Sequence, residues 1–361
     1  MKLSRKWINE DLVDLSHISD QKLCEALEML GHKVLSLQQI DGISHDSIID
    51  VEINSNRPDC FSLIGIAREA AAAFDVTRKY HEPDVKGNDK ISIYELLDVD
   101  VPAEWLCNRY STRMAKNVKV APSPKWLRDR LTACGIEPVN NIIDITNYVA
   151  IEYGQPVTAY DYRSITSGQL SVRETEEGEL FIDSDGKQYT LQAGMLVVCD
   201  DTDIISIAGI TGTAASKVSD DTTTIVIESA SFNSDSIRKT SQVLEIKTSS
   251  SIQFEHSPDP MLTVPALHRV CELLEMLQCA DVLDGMLDVL NYIPEPRTIE
   301  LDIDQINTLL QTTFSKEEIV MYLKRLEICS DGNTIFVPSF RTDLSTVSDI
   351  AMEIERIHRL T

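Results

Sequence analysis

The sequence predicts a multidomain α+β protein in which two small related helix–strand–helix units, winged-helix-like in pattern, flank a central mixed α/β domain. Three observations predict it. The two ends of the chain share a repeat, strand-like runs concentrate between them, and no GxGxxG or GxxxxGK[ST] phosphate loop opens any helix. The last point argues against a doubly wound nucleotide fold. At 361 residues the chain can bury more than one core.

In the repeat, Ser19 precedes Leu23, Ala26, Leu27 and Leu30, and Ser315 precedes Ile319, Tyr322, Leu323 and Leu326 at the same offsets. Each set predicts a capped amphipathic helix with one apolar stripe, and SKEE at 315–318 has the form of a capping box. A β-like run follows each helix, IIDVEI at 48–53 and TIFVPS at 334–339, and then an Arg-x-Asp, Arg57-Pro58-Asp59 or Arg341-Thr342-Asp343. Behind the aspartates, Leu63, Ile66, Ala67 and Ala70 match Val347, Ile350, Ala351 and Ile354. Asp59 and Asp343 are expected to cap these second helices. Only the first copy carries an extra loop, SLQQIDGISHDS, a place that tolerates insertion.

YHEPDVKGNDK at 80–90 and NYIPEPR at 291–297 read as linkers, giving units at 1–85, 90–292 and 297–361. The middle unit contains the strand-like runs LSVRE, MLVVC, IISIAGI and TTIVIES, with LFIDSDGKQYTL forming a hairpin around Asp185-Gly186. Helices are expected over 123–134, 234–243 and 261–278.

A formal charge of −25 opposes contact with a polyanion by the chain alone. The charge is uneven. Residues 105–138 hold seven Lys/Arg against two acids, whereas 174–235 hold two Lys against thirteen acids. Lys125, Arg128 and Arg130 therefore mark either a place for RNA or a solvated helix face. The eight cysteines lack metal or redox spacing, so free thiols are expected. The first 20 residues do not have the form of a signal peptide, and no run is long enough for a membrane span, so a cytoplasmic location is expected.

MKLSRKWI, NSNRPDCFSLIGIAREAAA, RYSTRMAKNVKVAPSPKWLRDRLTACGI, IIDITNYVAIEYGQP and VPSFRTDLSTVSDIAMEIERI occur in this order. Together they resemble the β-subunit family of bacterial phenylalanyl-tRNA synthetases over nearly the whole chain. The resemblance implies an editing-type central domain that hydrolyses tyrosine mischarged onto tRNA(Phe), between small scaffold domains. Family members also carry an OB-fold between the first helix and the NRPD segment, where residues 38–47 here form a short loop. They continue beyond position 361 into synthetase-like and anticodon-binding domains. A portion or a shortened paralogue is therefore expected. ATP-binding and aminoacylation would belong to the α subunit of an α2β2 assembly, and tRNA(Phe) would be held by the whole complex.

The resemblance also implies site residues. Glu228, in IVIESASF, would accept a hydrogen bond from the tyrosine phenol, a device that can separate tyrosine from phenylalanine by roughly 10⁴ to 10⁵. On residue type alone Glu228 reads equally as an exposed strand-end carboxylate. Gly212 and Thr248 match pocket positions. Thr158 and Ser250 stand at pocket positions but depart from the family pattern. GQPVTAYD at 154–161 has Thr158 where the family motif GQPxHAFD has histidine, so the segment lacks a side chain that titrates near neutrality. TSSSIQFEHSPDP stands against TDAxxRFERGxDP, so Ser249, Ser250, Gln253, His256 and Ser257 differ, and Glu137 replaces an arginine. His256 is expected at the surface. The loss of basic residues makes a poorer cleft for a tRNA 3′ end.

Asp343, Asp349 and Glu353 match positions that bind Mg2+ in the intact synthetase, although Met352 replaces a further family carboxylate. The i, i+4 spacing of Asp349 and Glu353 puts both on one helix face. No cofactor is firmly implied for the chain alone, and without the α subunit a helix cap at Asp343 with Asp349 and Glu353 in solvent is the better reading. Two other functional classes fit: a noncatalytic protein-interaction module with a decayed pocket, and a hydrolase of free aminoacyl esters.

Overall fold

The computed structural model describes residues 1–40, 46–201 and 203–360. Two compact units emerge, unit 1 from Met1–His81, Asp129–Ile136 and Pro294–Thr361, and unit 2 from Glu82–Arg128 and Glu137–Ile293. The two terminal repeats thus share one unit. Among the described residues no helix is long and apolar enough to cross a membrane.

Unit 1 opens with β1 (Lys2–Ser4), the single turn α1 (Arg5–Trp7), α2 (Asp20–Met29), β2 (Lys33–Ile40), β3 (Asp46–Glu52) and α3 (Leu63–Phe74). Ser19 caps α2 by accepting from the Lys22 N–H, and the stripe Leu23, Ala26 and Leu27 is buried. The strands form an antiparallel sheet in the order β1-β3-β2. Residues 41–45 of the insertion-tolerant loop lie outside the described residues.

The chain continues with β4 (Asn88–Ser92), β5 (Asp98–Asp100), β6 (Cys107–Lys116), α4 (Lys125–Ala133), which the unit boundary divides after Arg128, α5 (Asn141–Tyr153), β7 (Val157–Asp161) and β8 (Gln169–Glu174). The Asp-Gly hairpin appears as β9 (Leu180–Ile182) and β10 (Gln188–Thr190), with Gly186 at φ +82. Next come β11 (Leu196–Cys199), β12 (Ile204–Ile207), β13 (Thr211–Gly212) and β14 (Thr224–Phe232). Helices α6 (Ser234–Leu244), α7 (Ser249–Phe254) and α8 (Thr263–Met276) precede β15 (Asp281–Asp284) and β16 (Leu287–Leu290).

One sheet of unit 2 runs β4-β15-β6-β14-β7, with β16 also on β6, and the other runs β13-β12-β11-β8-β5. Side chains alternate across a strand, so Val226, Glu228 and Ala230 of β14 share a face. Val226 and Ala230 join Tyr110, Met114 and Tyr160 in the core with Val172, Val197 and Ile205 of the second sheet. Glu228 therefore points into the layer between the sheets.

The chain returns to unit 1 as β17 (Arg297–Glu300), α9 (Ile303–Leu310), α10 (Lys316–Arg325), β18 (Cys329–Asp331), β19 (Thr334–Val337) and α11 (Val347–His358). The order β17-β19-β18 repeats that of β1-β3-β2. Ser315 and Glu318 complete the expected capping box of α10. Ala26, Leu30, Ala72 and Ala73 of the first repeat share a core with Leu323, Ile350 and Ile354 of the second.

The capping expectation for the two aspartates needs correction. Ser62 caps α3 and Thr346 caps α11. Asp59 and Asp343 each accept two bonds from the arginine two residues earlier, charge-assisted bonds that outcompete a cap to neutral N–H groups.

Candidate functional site

Glu228 lies in the middle of β14, 3% exposed, and its register partners are Thr158 on β7 and Thr112 on β6. An ionised carboxylate here would be costly unless donors met it. Two phenols do so: Tyr110 donates to Glu228 Oε2 at 2.7 Å and Tyr160 donates to the same oxygen at 3.1 Å. Tyr160 Oη also lies 3.0 Å from Ser206 Oγ on β12. Burial raises Glu228 to about 7, with the two phenols pulling the opposite way. Both tyrosines are pushed well above their ordinary range, by burial first and by Glu228 second. Burial thus moves the titration of this carboxyl toward neutrality.

The other candidate positions connect to this carboxyl through short steps. Ser206, beside Tyr160, pairs with Gly212 across the β12–β13 ladder. A Cβ at Gly212 would stand 2.8 Å from Ser216 Oγ, so the position accepts no side chain without a shift. Thr248 donates to Ile210 O at 3.0 Å and accepts from the Ser251 N–H at 3.1 Å, tying the start of α7 to the turn before Gly212. Ser250, in the first turn of α7, is half-buried. Thr158 is half-buried on the same strand face as Tyr160. The structure therefore gathers Thr158, Gly212, Glu228 and Thr248 around β12, β13 and β14.

Of the departures, Glu137 is exposed, and Gln253 donates to Ala150 O at 2.8 Å. His256, expected at the surface, is half-buried, and burial lowers its pKa. The bland reading of Glu228 as an exposed strand-end carboxylate is overturned by its burial. Sequence reasoning missed Tyr110, Tyr160 and Ser206. The available signal was alternation: Tyr160 stands two residues from Thr158, hence on its face.

The B3/4 domain family matches residues 106–279, and the tRNA synthetase B5 domain family matches residues 299–359. The phenylalanine–tRNA ligase beta subunit of Clostridium acetobutylicum is 36% identical over 96% of this chain and 44% of its own length. The Clostridium tetani beta subunit is 39% identical over 87% of the chain and 40% of its own length. This chain belongs to the phenylalanine–tRNA ligase beta-subunit family. It spans less than half the length of these curated relatives. An N-terminal fragment of the phenylalanyl-tRNA synthetase beta subunit from Pyrococcus horikoshii matches 99% of each chain with a TM-score of 0.52 at 14% identity, a likeness of fold.

The beta-subunit resemblance implies magnesium at Asp343, Asp349 and Glu353, and unit 1 shows what these groups do. Arg341 donates to Asp343 Oδ1 and Oδ2 at 2.9 and 2.8 Å and to Glu353 Oε2 at 2.6 Å. In the first repeat Arg57 donates to Asp59 Oδ1 and Oδ2 at 2.9 and 2.8 Å and to Glu69 Oε1 at 2.6 Å. The three residues of each triad are related by one constant offset along the chain. Arg356 joins the triads by donating to both Glu69 and Glu353. Burial alone would raise both glutamates. The guanidinium groups outweigh it, holding Glu69 well below the usual carboxylate range and Glu353 at about 2.

A hard cation needs converging oxygens free to face it. Both oxygens of Asp343 and of Glu353 already accept from guanidinium groups. Asp349 Oδ2 accepts from the backbone and hydroxyls of Ser345 and Thr346 at the α11 cap. This donor set does not fit a magnesium ion within the chain. The same pairing excludes Asp59, Cys60 and Glu69, although their ligand atoms lie within 4.8 Å of one another.

Proposed function

We propose that the chain supplies the scaffold and an editing-type domain of a phenylalanine–tRNA ligase beta subunit, with weakened hydrolysis of mischarged Tyr-tRNA(Phe). Unit 1, two winged-helix-like repeats locked by paired arginine triads, serves as scaffold toward a synthetase α subunit. Unit 2 receives the aminoacylated 3′ end of tRNA(Phe) when the whole complex holds the tRNA, because the chain's charge of −25 disfavours RNA binding by itself. Magnesium would be held where the α subunit contributes ligands, outside this chain's own donor set.

The observation that carries this reading is the buried Glu228 carboxyl, held by two phenols and paired in register with Thr158. A carboxyl so placed recognises an aromatic hydroxyl. Thr158 cannot carry a proton at neutral pH, which limits ester hydrolysis.

Incubation of the chain with Tyr-tRNA(Phe) tests the reading, and slow deacylation above the buffer rate is expected. No rate above buffer, with the α subunit present or absent, would move the assignment to a noncatalytic interaction module. The internal satisfaction of Glu228 by the chain's own tyrosines is the observation that favours that second reading.

A further inference from the structure

A buried carboxylate that accepts a phenol O–H is the group a tyrosine side chain would seek, and Glu228 already has two such donors. Both reach Oε2, Tyr110 at 2.7 Å and Tyr160 at 3.1 Å. The two are not equivalent. Tyr110 makes the shorter bond, whereas Tyr160 has a second hydroxyl partner, Ser206, at 3.0 Å. Tyr160 can therefore turn its hydroxyl to Ser206 and remain hydrogen-bonded while it releases Glu228. It also stands in GQPVTAYD where the family motif has phenylalanine, so the chain adds one hydroxyl to that position and delivers it to the carboxyl.

A pocket that reads a hydroxyl gains its selectivity from the penalty of leaving a buried polar group unpaired when the ligand lacks that hydroxyl. With both donor places on Glu228 Oε2 filled, one by Tyr110 and the other by Tyr160, no such penalty arises, and a phenylalanine side chain leaves both bonds in place. A tyrosine side chain must displace the Tyr160 bond before making one of the same kind.

Resting on the editing reading of this pocket, we propose that Tyr160 is a specificity-determining residue whose phenol stands in for a substrate hydroxyl on Glu228 and so cancels the preference for tyrosine over phenylalanine. Thr158 and Tyr160 then account for different deficits on one strand, the first in hydrolysis and the second in selection.

Calorimetric titration of the full chain with L-tyrosine amide and L-phenylalanine amide tests the proposal. The wild type is expected to bind the two within about threefold of each other. Tyr160→Phe is expected to bind tyrosine amide tenfold or more tighter, with phenylalanine amide unchanged, since it vacates one of the two donor places on Glu228 Oε2 while Tyr110 keeps the other. Ser206→Ala, which removes the partner that Tyr160 turns to when it releases Glu228, is expected to weaken tyrosine amide binding several-fold and leave phenylalanine amide unchanged. Near-UV circular dichroism establishes folding of each variant. If Tyr160→Phe does not fold, Tyr160→Leu, which removes the phenol without a new donor, takes its place with the same expected ratio.

A tenfold tyrosine preference in the wild type overturns the proposal, as does an unchanged ratio, or binding of neither amide, once the phenol is removed. Deacylation of Tyr-tRNA(Phe) by the same proteins separates this result from the editing reading. A gained binding preference with no deacylation by any form overturns editing and leaves the role of Tyr160 intact. Wild-type deacylation that already selects Tyr-tRNA(Phe) over Phe-tRNA(Phe) tenfold does the reverse.

Discussion

Tyr160 on β7 donates to Glu228 on the adjacent strand β14 at 3.1 Å, two residues out of direct register, within a core that holds the carboxyl at a pKa of about 7. The pair links the candidate pocket to the stability of unit 2, and the direction of that link can be worked out. Burial has raised Glu228 above its ordinary value of 4.5. Between these two pH values the folded chain keeps a proton that the unfolded chain releases, so stability falls as pH rises from 4.5 to about 7 and then levels. The loss amounts to about 3 kcal/mol. Glu228→Gln keeps an acceptor for the phenols and removes the titration. Urea midpoints of the two proteins are expected to diverge over this window, with the glutamine form the more stable at pH 8.

Unit 1 has the opposite pH dependence. Glu353 is held at about 2 and Glu69 well below its ordinary range, so their pairing contributes fully above pH 4.5. That contribution is lost as pH falls from there toward 2. Tryptophan fluorescence during acid titration is expected to report Trp7 of unit 1 unfolding in this range.

Among the described residues Arg356 is the side chain that bonds both Glu69 and Glu353, and it is half-buried against them. Arg356→Met leaves two buried carboxylates with one arginine each. A loss of about 3 to 5 kcal/mol is expected from breaking such a pair on one side. The triple variant Arg356→Met, Glu69→Gln, Glu353→Gln is expected to recover part of it, because no charge is stranded. Chemical denaturation of the wild type, these two variants and the Glu69→Gln, Glu353→Gln double variant checks both statements, and additive losses would show that the groups do not act together.

Gly65, in the first turn of α3, is a test of the Arg-x-Asp loop. A Cβ there would stand 1.9 Å from the Asp59 carbonyl oxygen and 2.7 Å from its carbon, and backbone cannot swing aside. Gly65→Ala is expected to cost about 3 kcal/mol or more by forcing the loop off the helix. A melting temperature equal to that of the wild type would contradict this placement.

The repeat was legible because equal offsets survive in Ser19 and Ser315 and in the apolar stripes behind them, but the expected single strand of each copy proved to be the middle of a three-stranded sheet. The caps of α3 and α11 were misread because Asp59 and Asp343 have two uses in sequence, and only the fold shows that Arg57 and Arg341 claim them. Glu228 was legible as a candidate through its resemblance to the family glutamate. Its partners were not. The Tyr160 bond depends on the register of β7 against β14, and the Ser206 contact depends on how the second sheet stacks, neither of which is encoded by local spacing. The metal reading of Asp343 and Glu353 missed Arg356 for the same reason, since its link to Glu69 spans most of the chain.

The most direct test of the proposed weakened editing is single-turnover deacylation of Tyr-tRNA(Phe) by the wild type and by Thr158→His. The substitution places a side chain that titrates near neutrality beside Glu228, where acid–base assistance is worth roughly 10² or more in rate. A slow wild type and a Thr158→His rate raised by that order, with a pH dependence near neutrality, are expected. A fast wild type, or a histidine variant no faster than the threonine form, would contradict it.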